Sequence, residues 1–195
     1  MGRPLWAAVR ALLVLTVVTG VIYPLAVTGI AQAAFEDEAD GSLVEADGRA
    51  AGSDLIGQTW NGPGGRPDPH WFQPRPSHSG YDPTATGSGQ LGASDPALLE
   101  TVREAREQVA AFNGVPVTEV PPDAVTGSAS AIDPHISPEY AGIQAARVAE
   151  ANGLPRADVQ RLVEEHTEGR DLGFLGDERA NVLRLNIALR RLVQG

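Results

Sequence analysis

Between Ala11 and Phe35 the chain carries no charged residue, reading ALLVLTVVTGVIYPLAVTGIAQAAF. At a rise of about 1.5 Å per residue, roughly 25 residues make a helix longer than the roughly 30 Å hydrocarbon core of a bilayer. The run therefore predicts a membrane-spanning helix over residues 11–35, with some tilt. Its flanks set an orientation, because Arg3 and Arg10 precede it and Glu36, Asp37, Glu38 and Asp40 follow it. Positive charge is retained in the cytoplasm. Residues 1–10 are thus expected inside and everything from Glu36 onward outside. Ala31-Gln32-Ala33 has the small-x-small form of a signal-peptide cleavage site, but a signal's apolar region spans only about 7 to 15 residues, and the length here favours a retained anchor. Either reading exports the remainder.

Within the run, Thr16, Gly20 and Pro24 recur one helical turn apart. Small residues at that spacing let another helix approach closely, and Pro24 removes a backbone donor that a packed neighbour can help to compensate. A face that packs against other membrane helices is one reading; the plainer one is that glycine and proline are common in membrane helices generally.

The residues after the anchor number enough for one domain with its own core and too few for two. Residues 36–52, acidic and rich in small side chains, read as a juxtamembrane linker or first hairpin, with a short strand at Gly41–Val44. Residues 53–195 read as the domain. Together, residues 36–195 carry all 25 acidic residues and 13 of the 15 arginines, a formal charge of −12, which disfavours nucleic acid and anionic lipid surfaces. Without cysteine there is no disulfide, so the core or a partner must supply stability. The 22 glycines and 15 prolines exceed average usage and point to long ordered loops.

Ser53–Trp60 is expected as a strand, bounded by turn formers. Asn61–Asp95 is too long for a casual connector, and Trp71, Phe72 and Tyr81 suggest a loop held down by aromatic anchors. Helices follow. Ser94 or Asp95 caps one with Pro96 first and Asn113-Gly114 at its end, its apolar stripe being Leu98, Val102, Val109 and Phe112. Ser137 caps a second with Pro138 first and an Asn152-Gly153 stop, and a third runs from Pro155 to His166. Ala180–Leu185 alternates like a strand, with Asn186 capping a closing helix. Two or three short strands and four helices indicate an α+β domain.

Several motifs lack the context their chemistry needs. Gly87–Gly92 matches GxGxxG, but no apolar strand precedes it and no helix starts on it. Thr126, Ser128, Ser130, Asp133 and His135 are the residue types of a hydrolase triad, yet there is no GxSxG elbow. An ordered loop in which hydroxyls and Asp133 satisfy backbone donors is the plainer reading, an exported serine hydrolase or binding module the alternative. His70, His78, His135 and His166 have no paired zinc-site spacing, and a P-loop is excluded for want of lysine.

Taken in order, Thr19–Leu25, Gly41–Leu43, Gly52–Gln58, Trp71–Ser77, Tyr81–Pro83, Gly87-Ser88, Leu91-Gly92, Val125–Ser130, Asp133–Pro138 and Asn181–Asn186 closely resemble the C subunits of Kdp-type potassium-transporting P-type ATPases. Departures are Ala131-Ile132 where that family usually has Gly-Leu, Gly89-Gln90 inserted after Ser88, and Glu178-Arg179-Ala180-Asn181 for Pro-Arg-Val-Asn. The resemblance implies a single-span, non-catalytic accessory subunit in a bacterial plasma membrane. It would sit beside a channel-like potassium-binding subunit and an ATP-hydrolysing P-type subunit, in contact with the lipid bilayer and with no nucleic acid. No cofactor is expected in this chain; ATP, magnesium and potassium would belong to the partners, and the absence of DKTG, the phosphorylation motif of such pumps, fits that division. Contact surfaces would be the helix face at Thr16, Gly20 and Pro24 and two loops, carrying Trp71, Phe72 and Arg75 and Thr126, Ser128, Ser130, Asp133 and His135. Large aromatic and arginine side chains make good interface anchors; the competing role for them is the domain's own core.

Overall fold

A computed structural model describes residues 2–89 and 91–195, so Gln90, within the GxGxxG match, lies outside it. The chain divides into two units, residues 1–43 and Val44–Gly195.

In the first unit, helix α1 (Gly2–Val17), a π turn (Val18–Ile22) and helix α2 (Tyr23–Ala34) run on as one helix of 33 residues, with a mean hydropathy of 2.2 over its most apolar 18-residue stretch, long and apolar enough to cross a membrane. Pro24 explains the π turn. Its ring crowds the carbonyl four residues back and it has no N–H to give that carbonyl. Widening the preceding turn, with Tyr23 N–H donating to Val18 O, opens the ladder at Gly20. Thr19 turns its hydroxyl back to Leu15 O at 2.7 Å, leaving no donor exposed to an apolar surround. Phe35 ends the helix at φ −144° and ψ 54°, and the one-turn helix α3 (Glu36–Ala39) opens with three carboxylates at its positive end.

The second unit is α+β, as the pattern of elements predicts. A hairpin comes first, β1 (Leu43–Ala46) and β2 (Arg49–Ser53). Its turn residues Asp47 and Gly48 both have positive φ, 54° and 72°, the conformation that a two-residue turn matching strand twist requires. The expected strand over Ser53–Trp60 is not formed: β2 ends at Ser53, and the chain then turns. Gly57 N–H donates to Ile132 O at 2.8 Å and Gln58 folds its amide back to Ala51 O, so the backbone there pairs with a loop rather than a strand. Asn61–Asp95 forms no helix and no strand among its described residues; a single bridge, Asn61 to Pro67, closes one turn.

Helix α4 (Pro96–Asn113) begins as predicted, with Asp95 rather than Ser94 as its cap, accepting from Ala97 N–H, and ends on left-handed Gly114. Helix α5 (Pro138–Asn152) has Ser137 as cap and Gly153 as stop. Helix α6 (Arg156–Glu165) follows. Strands β3 (His135–Ile136), β4 (Thr167–Glu168) and β5 (Arg179–Asn181) make an antiparallel sheet in the order β3-β5-β4, with Ile136 and Thr167 both opposite Ala180. The expected strand at Ala180–Leu185 is cut short. Asn181 Oδ1 accepts from Leu183 and Arg184 N–H and starts helix α7 (Val182–Gln194) there. Asn186 is no cap, lying inside the helix and fully buried. The core joins Ala141, Ala145 and Val148 of α5, Val159 and Val163 of α6, and Val182, Leu185 and Leu189 of α7 to Phe72 from the long loop.

Candidate functional site

The feature that sets this domain apart is how the Trp71–Ser77 loop is held. Phe72 fills the core completely buried, and its backbone meets no strand. Asn186 supplies the missing partner: its Oδ1 accepts from Phe72 N–H and its Nδ2 donates to Phe72 O, both at 2.9 Å. Gln144 does the same for the next residue, accepting from Gln73 N–H at 2.7 Å and donating to Gln73 O at 3.1 Å. Two side-chain amides, from α7 and α5, thus take the place of a neighbouring strand. A buried peptide group without a partner costs about as much as a lost hydrogen bond, so both amides are needed where the loop crosses the core. The Gln73 side chain then closes the preceding turn, donating to Trp60 O and Asp68 O.

Arg147 braces the other side of this loop. Buried beneath it, its guanidinium donates to Asn113 Oδ1, to Pro69 O and Trp71 O, and to Gln144 Oε1, with its central carbon 4.4 Å from the centre of the Phe112 ring. Burial pushes its pKa down to about 10, with Tyr140 and Asp68 working the other way, so it stays charged at neutral pH. Desolvation likewise pushes the Tyr140 hydroxyl up to about 12. Trp71 stacks at a tilt against Trp60, ring centres 5.3 Å apart.

Further along, Arg75 ties the loop to Thr126–His135. It donates to Thr126 O and Gly127 O at 3.3 Å and to Asp133 Oδ2 at 3.1 Å. Burial alone would raise the Asp133 carboxyl, but hydrogen bonds from the His135 ring and backbone and the Arg75 charge outweigh it, holding Asp133 below the usual carboxylate value. Ser77 Oγ donates to Ala131 O at 2.6 Å and accepts from Tyr81 N–H, while Tyr81 OH donates to Arg75 O. The two loops therefore form one cross-linked patch. Beside it, Pro74, Pro76, Gln108, Val109, Phe112 and Tyr140 line part of a cleft of about 380 Å³.

The predicted contact residues fall into three groups. Trp71, Arg75, Thr126, Ser128, Ser130, Asp133 and His135 gather in or beside this patch. Phe72 belongs to the core and has no side-chain surface to offer a partner. Thr16, Gly20 and Pro24 lie in the apolar helix, all exposed, Gly20 with open space where a Cβ would stand. As for a triad, Ser128 and Ser130 place their hydroxyls 3.3 Å from each other, and Ser130 Oγ accepts from Ile132 N–H. Thr126 Oγ1 donates to Pro122 O, and His135 Nδ1 sits 3.4 Å from Asp133. That is loop chemistry, with no nucleophile-to-base hydrogen bond formed by Ser128 or Ser130. Among the described residues no three His, Asp or Glu side chains converge where they could hold a metal ion.

Sequence reasoning passed over Gln144 and Arg147 and took Asn186 for a cap, yet these three residues hold the loop. Their signal is present: Gln144 and Arg147 interrupt an otherwise small apolar face of α5, and Asn186 does the same between Leu185 and Ile187. A polar residue inside a buried stripe marks a backbone that must be satisfied from the side.

Compared with known proteins, residues 5–191 match the family described as "KdpC: K+-transporting ATPase, c chain". The chain belongs to the KdpC family. Members similar to it include proteins named potassium-transporting ATPase KdpC subunit from Streptomyces avermitilis, 49% identical over 98% of this chain and 95% of that protein, and from Streptomyces coelicolor, 50% identical over 98% and 94%. One from Mycobacterium tuberculosis is 47% identical over 98% of this chain and all of its own length. The family resemblance read from the motifs is thereby shown, and one of its departures acquires a physical meaning. Ala131, one of the departures noted with that resemblance, is buried with φ +63°, a left-handed conformation that glycine adopts without penalty.

Proposed function

We propose that this protein is a single-span, non-catalytic accessory subunit of an ATP-driven potassium uptake pump, acting in assembly and stabilisation of the complex. The observation that carries this reading is similarity over nearly the whole chain to proteins named as KdpC subunits of the potassium-transporting ATPase. Residues 1–10 lie in the bacterial cytoplasm, 11–35 cross the plasma membrane, 36–52 link, and 53–195 form the domain outside, since Arg3 and Arg10 are the charges that stay inside. Its partners are a channel-like potassium-binding subunit and an ATP-hydrolysing P-type subunit, which carry the potassium, ATP and magnesium. Any influence on ATP use by the catalytic subunit passes through subunit contacts, because the domain stands on the side away from cytoplasmic ATP. The bonding of the Trp71–Ser77 and Thr126–His135 loops supports the scaffold role, since their polar groups serve to hold shape.

Tagging this chain, solubilising membranes in mild detergent and assaying the eluate for potassium-stimulated ATP hydrolysis tests the proposal. Co-elution of both partner subunits, with activity lost on deleting this chain, is expected. Recovery of the chain alone, with pump activity indifferent to its deletion, would refute it.

A further inference from the structure

Between β4 and β5 the chain leaves the sheet and makes a small closed hairpin. Asp171 N–H donates to Leu175 O and Leu175 N–H to Asp171 O, both at 2.9 Å, and Gly173 N–H donates to Arg170 O at 3.0 Å. The hairpin exposes Leu172 by 83%, Phe174 by 69% and Leu175 by 48%. Three large apolar side chains on one hydrogen-bonded tip are more than the scattered exposure normal for a surface. Leu172 also has φ +53°, a conformation costly for a branched side chain; it aims an apolar group outward rather than into the core.

Charge frames the tip. Arg170 pairs with Asp177 at 3.9 Å, and Arg179 with Glu168 at 3.2 Å and Asp171 at 3.7 Å. Glu178 adds another carboxylate, so residues 168–179 hold four acids against two arginines. Peripheral membrane anchors pair apolar side chains with lysine and arginine; this tip has the opposite sign, and an anionic lipid surface would repel it. The tip suits a protein pocket, apolar inside and basic at the rim.

We infer that the Asp171–Leu175 hairpin is a plug that seats Leu172 and Phe174 in an apolar, basic-rimmed pocket on a partner subunit of the pump. This rests on the accessory-subunit reading above. Buried aromatic anchors of this kind dominate association energetics, and truncating Phe174 to alanine is expected to weaken association roughly tenfold to a hundredfold.

A photo-crosslinking amino acid at position 174 of the full tagged chain, activated in intact membranes, tests the plug. Adducts identified by mass spectrometry as a pump subunit, together with loss of co-purification in the Leu172→Asp/Phe174→Asp variant at an unchanged melting temperature, are expected. Adducts to lipid alone, or none, while the wild-type chain still recovers its partners, would overturn the plug and leave the accessory role standing. A wild-type chain that recovers no partner would remove both. Should the double variant fold poorly, Phe174→Ala and the crosslink still give the answer.

Discussion

Replacing Asn186 by leucine keeps the branched heavy-atom shape of the side chain while removing both amide contacts to Phe72. Two backbone groups inside the core then lose their partners, at about 1–3 kcal/mol each. Leucine returns roughly 1 kcal/mol because no side-chain amide needs to be desolvated. The net expectation is a loss of about 3 kcal/mol, and with a urea dependence of about 2 kcal/mol per molar the unfolding midpoint should fall by about 1.5 M. Tryptophan fluorescence reads this directly, since Trp60 and Trp71 are stacked in the native loop. Asn186→Asp supplies the control: its carboxylate still accepts from Phe72 N–H but opposes Phe72 O. Burial and that opposition raise its pKa, so the lost stability should partly return as pH falls and the protonated acid regains a donor. An Asn186→Leu protein within about 1 kcal/mol of wild type, or an Asn186→Asp protein indifferent to pH, would refute the amide-clamp reasoning.

Three other outcomes are expected. Arg147→Lys should cost at least about 2 kcal/mol, because an ammonium cannot span the Asn113, Trp71 and Gln144 acceptors that the planar guanidinium reaches, and hydrogen exchange at residues 69–73 should accelerate with it. Asp133→Asn should flatten the acid limb of the stability curve: the folded carboxyl lies below its unfolded value, so its contribution is present above pH ~4 and lost as pH falls through the folded pKa; an unchanged acid limb in urea titrations would count against the Arg75–Asp133 tie. Ala131→Gly should leave stability equal or raise it by up to about 1 kcal/mol, as relief of the left-handed backbone offsets the added freedom of the unfolded chain; a loss above 1 kcal/mol by urea titration would show that the buried methyl matters more.

Elements whose signals are local were legible. The charge-free run, the Asp95-Pro96 and Ser137-Pro138 caps and the Gly114 and Gly153 stops are written within a few residues, and the structure has helices there. Strand assignments failed where local pattern and long-range pairing part company. Leu55 and Ile56 look like strand residues, but their segment bonds to Ile132 and folds back on Ala51. Asn181 and Asn186 look alike as caps, and only the position of β5 against β3 decides that the first one starts the helix. The two-residue strands β3 and β4 carry no periodicity at all. The long loop was legible as ordered through its aromatics, whereas its restraints, Gln144, Arg147 and Asn186, lie 71 to 114 residues away along the chain and show themselves only as polar breaks in apolar faces.

That separation has a consequence in time. A loop zipped by a neighbouring strand can order as soon as that strand is made, but residue 72 waits for residue 186. During synthesis, and during passage of the chain through the membrane if residues 53–195 are outside, the long loop stays unfinished until helix α7 has emerged and docked. Closing so distant a contact is slow, and half-made domains expose the core that Phe72 will later fill. Loss of the last turns of the chain would therefore act at the middle of the domain, leaving the Trp71–Ser77 segment open to proteases far from the site of the damage.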